Sequence, residues 1–347
     1  MARPGRPGDT AGVGLTMSVP APGQLASPVG QLADDSAAAF TAAVADPLLD
    51  LPLPGSGRTR ERWAVLADLA GQDVSLGRLA EGHADAVAIL AEIAGQHPPA
   101  GSRWGVWAAQ PPGPRLTASK GGSTWFLDGT KQYCSGAHVC THALVTAAAP
   151  EGDLLFAVAT DSLVPLAGTW QAAGMAGSDT LDVQFRQVPA EPVGGPGSYL
   201  SRPGFAHGGA GVAACWYGGA RAIGAALLAA ARQRDIGPHA LAHLGAVDTE
   251  LSGASDALDR AASEIDADPD DSAGQGWARA VRLRSRIEAA SAEVIRRVGR
   301  ALGAGPLCRD AAHAQRVADL TVYLRQHHAE RDLAELGALV AASGTSW

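Results

Sequence analysis

The chain has 347 residues, of which 46% are hydrophobic, 18% charged and only 5% aromatic, a composition typical of a globular protein whose helices pack through small side chains. The formal net charge is −8 and no extended run of Lys or Arg occurs, which argues against a nucleic-acid partner. No stretch approaches the roughly 20 apolar residues that span a bilayer, so no membrane partner is expected.

The cysteine pattern and the N-terminal composition bear on the cellular compartment. The four cysteines, Cys134, Cys140, Cys215 and Cys308, lack the CxxC and Cys/His spacings of metal sites. They predict reduced thiols, a cytoplasmic location and no bound metal. Residues 1–26 are rich in Gly and Pro and contain no compact apolar segment, which predicts a flexible tail rather than a secretory signal.

Residues 27–100 are predicted to form an N-terminal helical domain. Asp34 or Ser36 can cap a first helix, and the segment TRERWAVLADLAGQ forms a second. A third helix begins at Asp73 or Ser75, and its apolar residues recur at helical spacing.

Residues 101–204 change to short runs of β-branched and aromatic residues separated by turn signals. This pattern predicts a middle antiparallel β domain. Asp128 and Gly129 separate WFL from KQYC, which predicts a hairpin turn at that dipeptide.

Residues 205–347 return to helical periodicity and predict a C-terminal four-helix-type domain. Apolar residues in ALAHLGAVDTELSGASDALDRAASEI alternate at three- and four-residue steps, as in the seam of a helical bundle. The last helix is predicted to run from about Arg309 through Leu339, which would place His328 and Asp332 on one helix face.

Several segments resemble the acyl-CoA dehydrogenase family. They are WFLDGTKQYCSGAHVCTHALVTAA and GTWQAAGMAGSDTLDVQFRQVPA in the β region, and AARQRDIG and ALGAGPLCRDA in the helical region that follows. The resemblance implies an α+β fold with an N-terminal helical domain, a middle β domain and a C-terminal helical bundle. It also implies an FAD cofactor, a small-molecule or acyl-thioester substrate, and a homodimer or homotetramer.

The resemblance also implies positions for the flavin. Tyr133 would lie against the flavin ring, Ser135 would hydrogen-bond near its N5/O4 edge, and Gly136 would follow in the same turn. Trp107, at the start of the β domain, is a further candidate for flavin contact. Flat aromatic faces with a few fixed donors suit an isoalloxazine ring.

The same resemblance places the FAD diphosphate against a neighbouring subunit. Arg234, Gly303 and Arg309 are the candidates, because arginines and exposed backbone N–H groups bind phosphate.

Two departures from the family pattern leave the reaction open. The segment VWAAQPPGPRLTASKGG replaces a flavin-binding Gly-Ser-Asp loop, and the catalytic Glu that precedes Gly-Thr is absent. Asp319 and Glu330 are candidate substitutes for this base. Flavin monooxygenases that share the fold lack the Glu and use a His, for which His328 and His313 are candidates.

Three functions therefore remain open from the sequence. The first is an FAD-dependent, acyl-CoA dehydrogenase-like oxidoreductase that oxidises a CH–CH bond. The second is a reduced-flavin-dependent monooxygenase on the same fold. The third is a catalytically degenerate subunit that completes a partner's FAD site.

Overall fold

A computed structural model describes residues 28–343, with side chains from residue 35 onward. The predicted tail at residues 1–26 and the side chain of Asp34 lie outside the described part. Along the chain, three helices come first, the strands of one β barrel follow, and the remaining helices come last. The helices are α1 (Pro28–Ala45), α2 (Thr59–Gln72), α3 (Val74–Ala94), α4 (Ser198–Ser201), α5 (Pro203–Gln233), α6 (Gly237–Ala267), α7 (Gly276–Leu302), α8 (Gly305–Arg309), α9 (Ala311–Tyr323) and α10 (Glu330–Ala342).

Asp73 connects the first three helices. Its side chain accepts a hydrogen bond from the backbone N–H of Leu76 at 2.9 Å and so caps α3, which confirms one of the two predicted starts. The predicted cap at Ser36 is wrong, because α1 already begins at Pro28. The Ser36 hydroxyl instead donates to Asp73 at 2.9 Å, which ties α1 to the start of α3.

Five of the seven strands in the described residues close into a barrel. The strands are β1 (Trp104–Trp107), β2 (Thr117–Gly121), β3 (Thr124–Cys134), β4 (His142–Ala149), β5 (Gly152–Ala159), β6 (Val164–Leu166) and β7 (Leu181–Pro192). Strand β3 pairs with β2 and β7, β5 pairs with β7 and β4, and β4 returns to β2. The prediction of a purely antiparallel domain is wrong, since β4 pairs in parallel with both β1 and β2. The parallel pairs arise because β4 comes back beside β2 to close the barrel.

The predicted hairpin at Asp128 and Gly129 is also wrong. Strand β3 continues through this dipeptide with only an irregularity in its register to β7. The turn between β2 and β3 lies earlier, where Gly122 has a φ of 66°, a conformation that glycine adopts without strain. Pairing with β2 and β7 on both edges keeps the Asp-Gly segment extended, so tertiary contacts override the local turn signal.

Helix α5 lies at the centre of the C-terminal bundle and contacts α2, α6, α7 and α9. By length and composition it could cross a membrane, although the sequence analysis found no such segment. In the structure, 61% of its most apolar 18-residue window is buried inside the protein. Trp216 and Ile223 are 0% exposed, as in the core helix of a bundle. The predicted seam on α6 is confirmed, since it packs against the core: Leu244 and Leu251 are half-buried, and its other residues are buried, namely Val247, Ala254, Leu258, Ala261 and Ile265.

We expect Gly218→Ala to destabilise the protein by about 1–3 kcal/mol. A Cβ at Gly218 would lie 2.0 Å from the carbonyl oxygen of Ala67, so α2 and α5 would have to move apart. Gly245→Ala on α6 is the matched control, because its Cβ would meet nothing within 4 Å and alanine favours the helix. Urea unfolding measures the free energy of unfolding of both variants. Equal stabilities would show that the contact between α2 and α5 tolerates a methyl group.

The last predicted helix is divided in two. Helix α9 ends at Tyr323, a 3₁₀ turn follows, and α10 begins at Glu330. The break occurs where His327, 5% exposed, inserts against α7 and its Nε2 lies 2.9 Å from the hydroxyl of Ser285. His328 therefore precedes α10 instead of sharing its face. It still contacts Asp332, with 3.1 Å between Nδ1 and Oδ1.

Candidate functional site

Two loops of the barrel meet beside α3 and α9 and form the candidate site. One loop is 133–138, which begins in the last two residues of β3 and continues beyond it, and the other is 175–180, which precedes β7. The backbone N–H of Gly136 donates to the carbonyl of Ser178 at 2.9 Å, and that of Ala137 donates to the carbonyl of Asp179 at 3.0 Å. These bonds fix the two segments, hereafter the paired loops, relative to each other.

The paired loops contain three of the residues predicted for the flavin, of which Tyr133 is exposed, Ser135 half-buried and Gly136 buried. Tyr133 is 54% exposed and has a φ of 59°. The Ser135 hydroxyl lies 2.9 Å from that of Thr180. At Gly136 the φ is 71°, and a Cβ would lie 2.6 Å from the sulfur of Cys140. An accessible aromatic ring beside fixed hydroxyl groups fits the face and polar edge of an isoalloxazine.

Trp107 supports this surface from the interior. Its ring is 1% exposed, and its indole N–H donates to the carbonyl oxygen of Ser135 at 2.9 Å. The structure thus brings Trp107 to the predicted site and places it behind Ser135. Its observed contact fixes the Ser135 backbone.

The segment that replaces the Gly-Ser-Asp loop packs over a small cavity. Ala109, Gln110 and Pro111 line this cavity of about 20 Å³ together with Lys131. The Lys131 ammonium group donates to the backbone carbonyl and the hydroxyl of Thr146 at 2.9 and 2.8 Å. Burial lowers the pKa of Lys131 to about 8. A space of this size holds about one water molecule, so it offers no room for a flavin ring.

Asp319 on α9 holds the second of the paired loops. It is 4% exposed, and the same oxygen, Oδ1, accepts hydrogen bonds from the backbone N–H of Met175 and the side-chain amide of Gln315. Burial raises the pKa of Asp319 to about 6, although both hydrogen bonds act in the opposite direction. Gly174 lies so close to α9 that a Cβ there would be 2.3 Å from the carbonyl oxygen of Ala318.

Charged and aromatic groups fill the interior between α3, α5 and α9. Leu79 of α3 lies directly under Gly136, whose Cβ would be 3.1 Å from it. The neighbouring Arg78 and Glu81 form a buried ion pair at 2.6 Å. Burial raises the pKa of Glu81, and Arg78 opposes this shift. The rings of Trp216 and Tyr323 pack edge to face in the same region, with centroids 6.1 Å apart.

Two of the remaining catalytic candidates, His313 and His328, have hydrogen-bond partners other than the paired loops. In the described residues, no hydrogen bond or ion pair joins His328 or Glu330 to the paired loops. Both residues are exposed at the start of α10. His313 is 4% exposed near the start of α9, where its backbone N–H donates to the helix-capping Asp310. Burial lowers the pKa of His313, which favours its neutral form at neutral pH.

The three residues predicted for the diphosphate lie at the C-terminal ends of helices in the bundle. Arg234 comes directly after α5, Gly303 directly after α7 with a φ of 68°, and Arg309 ends α8. Further arginines lie on the last turns of α7. Hydrogen bonds from Arg296 and Arg297 lower the pKa of Glu293 to about 2.

Some of these arginines have no acidic partner. Among the described residues, Arg234, Arg300 and Arg309 form no ion pair. All three are exposed. They leave positive charge available for an anion.

A histidine that the sequence analysis missed lies in the first of the paired loops. The ring Nδ1 of His138 is 2.8 Å from Oδ1 of Asp179, and its backbone N–H donates to Oδ2 at 2.6 Å. The signal available in the sequence was slight: His138 follows Ser135 by three residues, while its partner lies 41 residues farther along. Only the pairing of the loops brings the two residues together.

Comparisons with solved structures identify the architecture. The chain matches TdsC of Paenibacillus sp. A11-2 in complex with FMN and indole, with a TM-score of 0.70 and 18% identity. The match covers 89% of this chain and 96% of TdsC. The chain also matches the methanesulfinate monooxygenase MsuC of Pseudomonas fluorescens with a TM-score of 0.71 and 19% identity, over 93% and 99% of the two chains.

The chain has the acyl-CoA dehydrogenase fold. A nitrososynthase of Micromonospora carbonacea var. africana also matches, with a TM-score of 0.69 and 19% identity over 92% of this chain and 98% of the other. No model of a known protein family matches the sequence, and no curated protein does. The mixed α+β acyl-CoA dehydrogenase fold expected from the sequence is thus confirmed.

Proposed function

We propose that the chain is a flavin-dependent monooxygenase that binds a reduced flavin. The observation that carries this proposal is the position of Asp319. An acyl-CoA dehydrogenase needs a carboxylate within reach of the substrate's α-proton. The Asp319 carboxyl group is buried and already accepts two hydrogen bonds from its own chain.

The filled interior supports the same choice. A dehydrogenase must also accommodate an acyl chain beside the flavin, and such pockets are mostly apolar. Here the space beneath Gly136 contains Leu79, with the Arg78–Glu81 ion pair next to it. TdsC and MsuC, which have the same fold, are monooxygenases.

The flavin would be held by the paired loops and by the arginines of the bundle. Tyr133 would stack on the ring, while the Ser135 hydroxyl, positioned by that of the buried Thr180, would bind its polar edge. Arg234, Arg300 and Arg309 would bind the phosphate groups, from a second copy of the chain in a homodimer or homotetramer. A reduced flavin supplies the two electrons with which molecular oxygen is activated. FMN and FAD are both compatible with these residues.

Flavin titration of the purified protein tests the proposal. Binding of reduced FMN or FAD, followed by oxygen consumption with an oxidisable substrate from a panel of thioethers, amines and phenols, supports the monooxygenase. A yellow protein that an acyl-CoA bleaches without oxygen would establish the dehydrogenase instead. A protein that takes up no flavin in either redox state would contradict both enzymes and leave the non-catalytic subunit.

Replacing Tyr133 with Ala is expected to weaken FMN binding by about tenfold, since stacking of aromatic rings contributes roughly 0.5–1.5 kcal/mol beyond the area they bury. Its ring is 54% exposed, so the melting temperature should change little. Tyr133→Phe is the matched control and should bind FMN as the wild type does. Unchanged affinity in Tyr133→Ala would remove Tyr133 from the site.

A further inference from the structure

The His138–Asp179 pair has the geometry of an oriented acid–base group. Both oxygens of Asp179 bind the same residue, one through its backbone N–H at 2.6 Å and the other through Nδ1 at 2.8 Å. The Asp179 side chain is 13% exposed and the His138 side chain 65% exposed. The carboxylate is therefore shielded, and the imidazole ring extends into solvent with a fixed orientation.

The backbone around Asp179 holds this arrangement in place. Asp179 has a φ of 47°, a left-handed conformation that aspartate adopts more readily than most residues other than glycine. Its N–H donates to the carbonyl of Ala176 at 3.2 Å, and its own carbonyl accepts from Ala137 at 3.0 Å. These two backbone hydrogen bonds fix Asp179 toward His138.

The pair lies at the edge of the surface described for the flavin. His138 is in the same loop as Ser135, and Asp179 immediately precedes Thr180, whose hydroxyl lies 2.9 Å from that of Ser135. The other charged groups around this loop are Asp182, whose carboxylate accepts from the N–H of Tyr133 at 3.4 Å, and Arg103, whose Nε donates to the carbonyl of Val139 at 2.7 Å.

We propose that His138, oriented by Asp179, is the acid–base residue of the flavin site. A carboxylate bound to Nδ1–H leaves the lone pair of Nε2 free to accept a proton, as in Ser-His-Asp sites. Nε2 accepts the proton of a substrate O–H, N–H or S–H group or of water, Asp179 stabilises the imidazolium, and the imidazolium donates the proton that the reduction of oxygen to hydrogen peroxide consumes. The inference rests on the proposed function, because it requires flavin and substrate at the paired loops.

Histidine ring NMR tests where His138 lies. Protein labelled with ¹⁵N-histidine is titrated with oxidised FMN, and the His138 signals are assigned with His138→Gln among the 10 histidines. We expect Nδ1 to carry the proton in the neutral ring and FMN to shift the His138 signals. FMN fluorescence measures binding independently of the histidine signals.

The oxidation of bound reduced FMN by oxygen tests what His138 does. Oxidation of one reduced FMN anion by one O₂ consumes one proton and yields FMN and hydrogen peroxide. We expect His138→Gln and Asp179→Asn to slow this step by about tenfold or more and to flatten its dependence on pH. His97→Gln, at an exposed histidine outside the paired loops, should behave as the wild type.

The outcomes separate the two proposals. If FMN binds while the His138 signals stay unshifted, or if His138→Gln keeps the wild-type rate and pH profile, the role of His138 is refuted and the flavin site stands. If no FMN binds in either redox state, the flavin function fails and His138 loses its role with it. Melting temperatures check that Gln and Asn, which can retain a hydrogen bond between the loops, preserve the fold.

Discussion

Replacing Asp319 with Ala is expected to lower the free energy of unfolding by about 2 kcal/mol and to weaken FMN binding by about tenfold or more. The change leaves the buried N–H of Met175 and the amide of Gln315 without their shared acceptor, and an unsatisfied buried donor costs roughly 1–3 kcal/mol. Since this N–H begins the loop that contains Thr180, its release also displaces part of the candidate flavin surface.

Asp319→Asn is the matched control. Both donors bind Oδ1 of Asp319, and the carbonyl oxygen of asparagine can accept the same two hydrogen bonds. We therefore expect FMN affinity near that of the wild type at pH 7, and stability at least as high, since Asn is neutral and burial disfavours the charged form of Asp319. Urea unfolding and FMN fluorescence measure both quantities. If Asp319→Asn keeps the fold and the flavin but abolishes substrate oxidation, Asp319 acts as a base and the monooxygenase proposal loses its principal support.

The stability of the wild type should fall by about 3 kcal/mol relative to Asp319→Asn as the pH rises through the titration of this group. Burial raises the pKa of Asp319 from 3.8 to about 6, and each unit corresponds to about 1.36 kcal/mol. A raised pKa means that the folded state binds the proton more tightly. The stabilisation is fully present below the unfolded pKa and is lost as the pH passes through the folded pKa.

Paired urea unfolding of the wild type and Asp319→Asn between pH 4.5 and 7.5 measures this effect, and about 2 kcal/mol of the loss falls within this range. Taking the difference between the two proteins removes the titration of all other groups. The neighbouring Asp73, which raises the Asp319 pKa, and Arg316, which lowers it, remain in both proteins. A difference that stays constant over this range would show that Asp319 titrates at its ordinary pKa.

Local signals in the sequence were reliable where residues close together in the chain decide the local geometry. Asp73 caps α3 through its own side chain, and the seam of α6 follows from the spacing of Val247, Ala254 and Leu258. These signals failed where contacts with distant segments of the chain override the local preference. Pairing with two neighbouring strands extends the chain through Asp128 and Gly129, and the insertion of His327 against Ser285 ends a helix whose periodicity continues.

The candidate site could be predicted only in part for the same reason. Tyr133, Ser135 and Gly136 are adjacent in the chain, so one motif was enough to select them. Asp319 was selected as a base by its place after Arg309 and Asp310, yet only its contact with Met175 shows where its carboxylate lies. Distance along the chain also concealed His138, because its orientation depends on Asp179 in another loop.

The sequence by itself determined the order of helices, β strands and helices again, and it selected the segment that we propose for the flavin ring. These features depend on periodicity and on residues that are neighbours in the chain. The tertiary structure decided which titratable groups are accessible to solvent and which are buried and hydrogen-bonded within the protein. A carboxyl group or an imidazole acquires its chemistry from groups that folding brings within about 3 Å. By that criterion Asp319 is held inside the protein, while His138 extends from its surface.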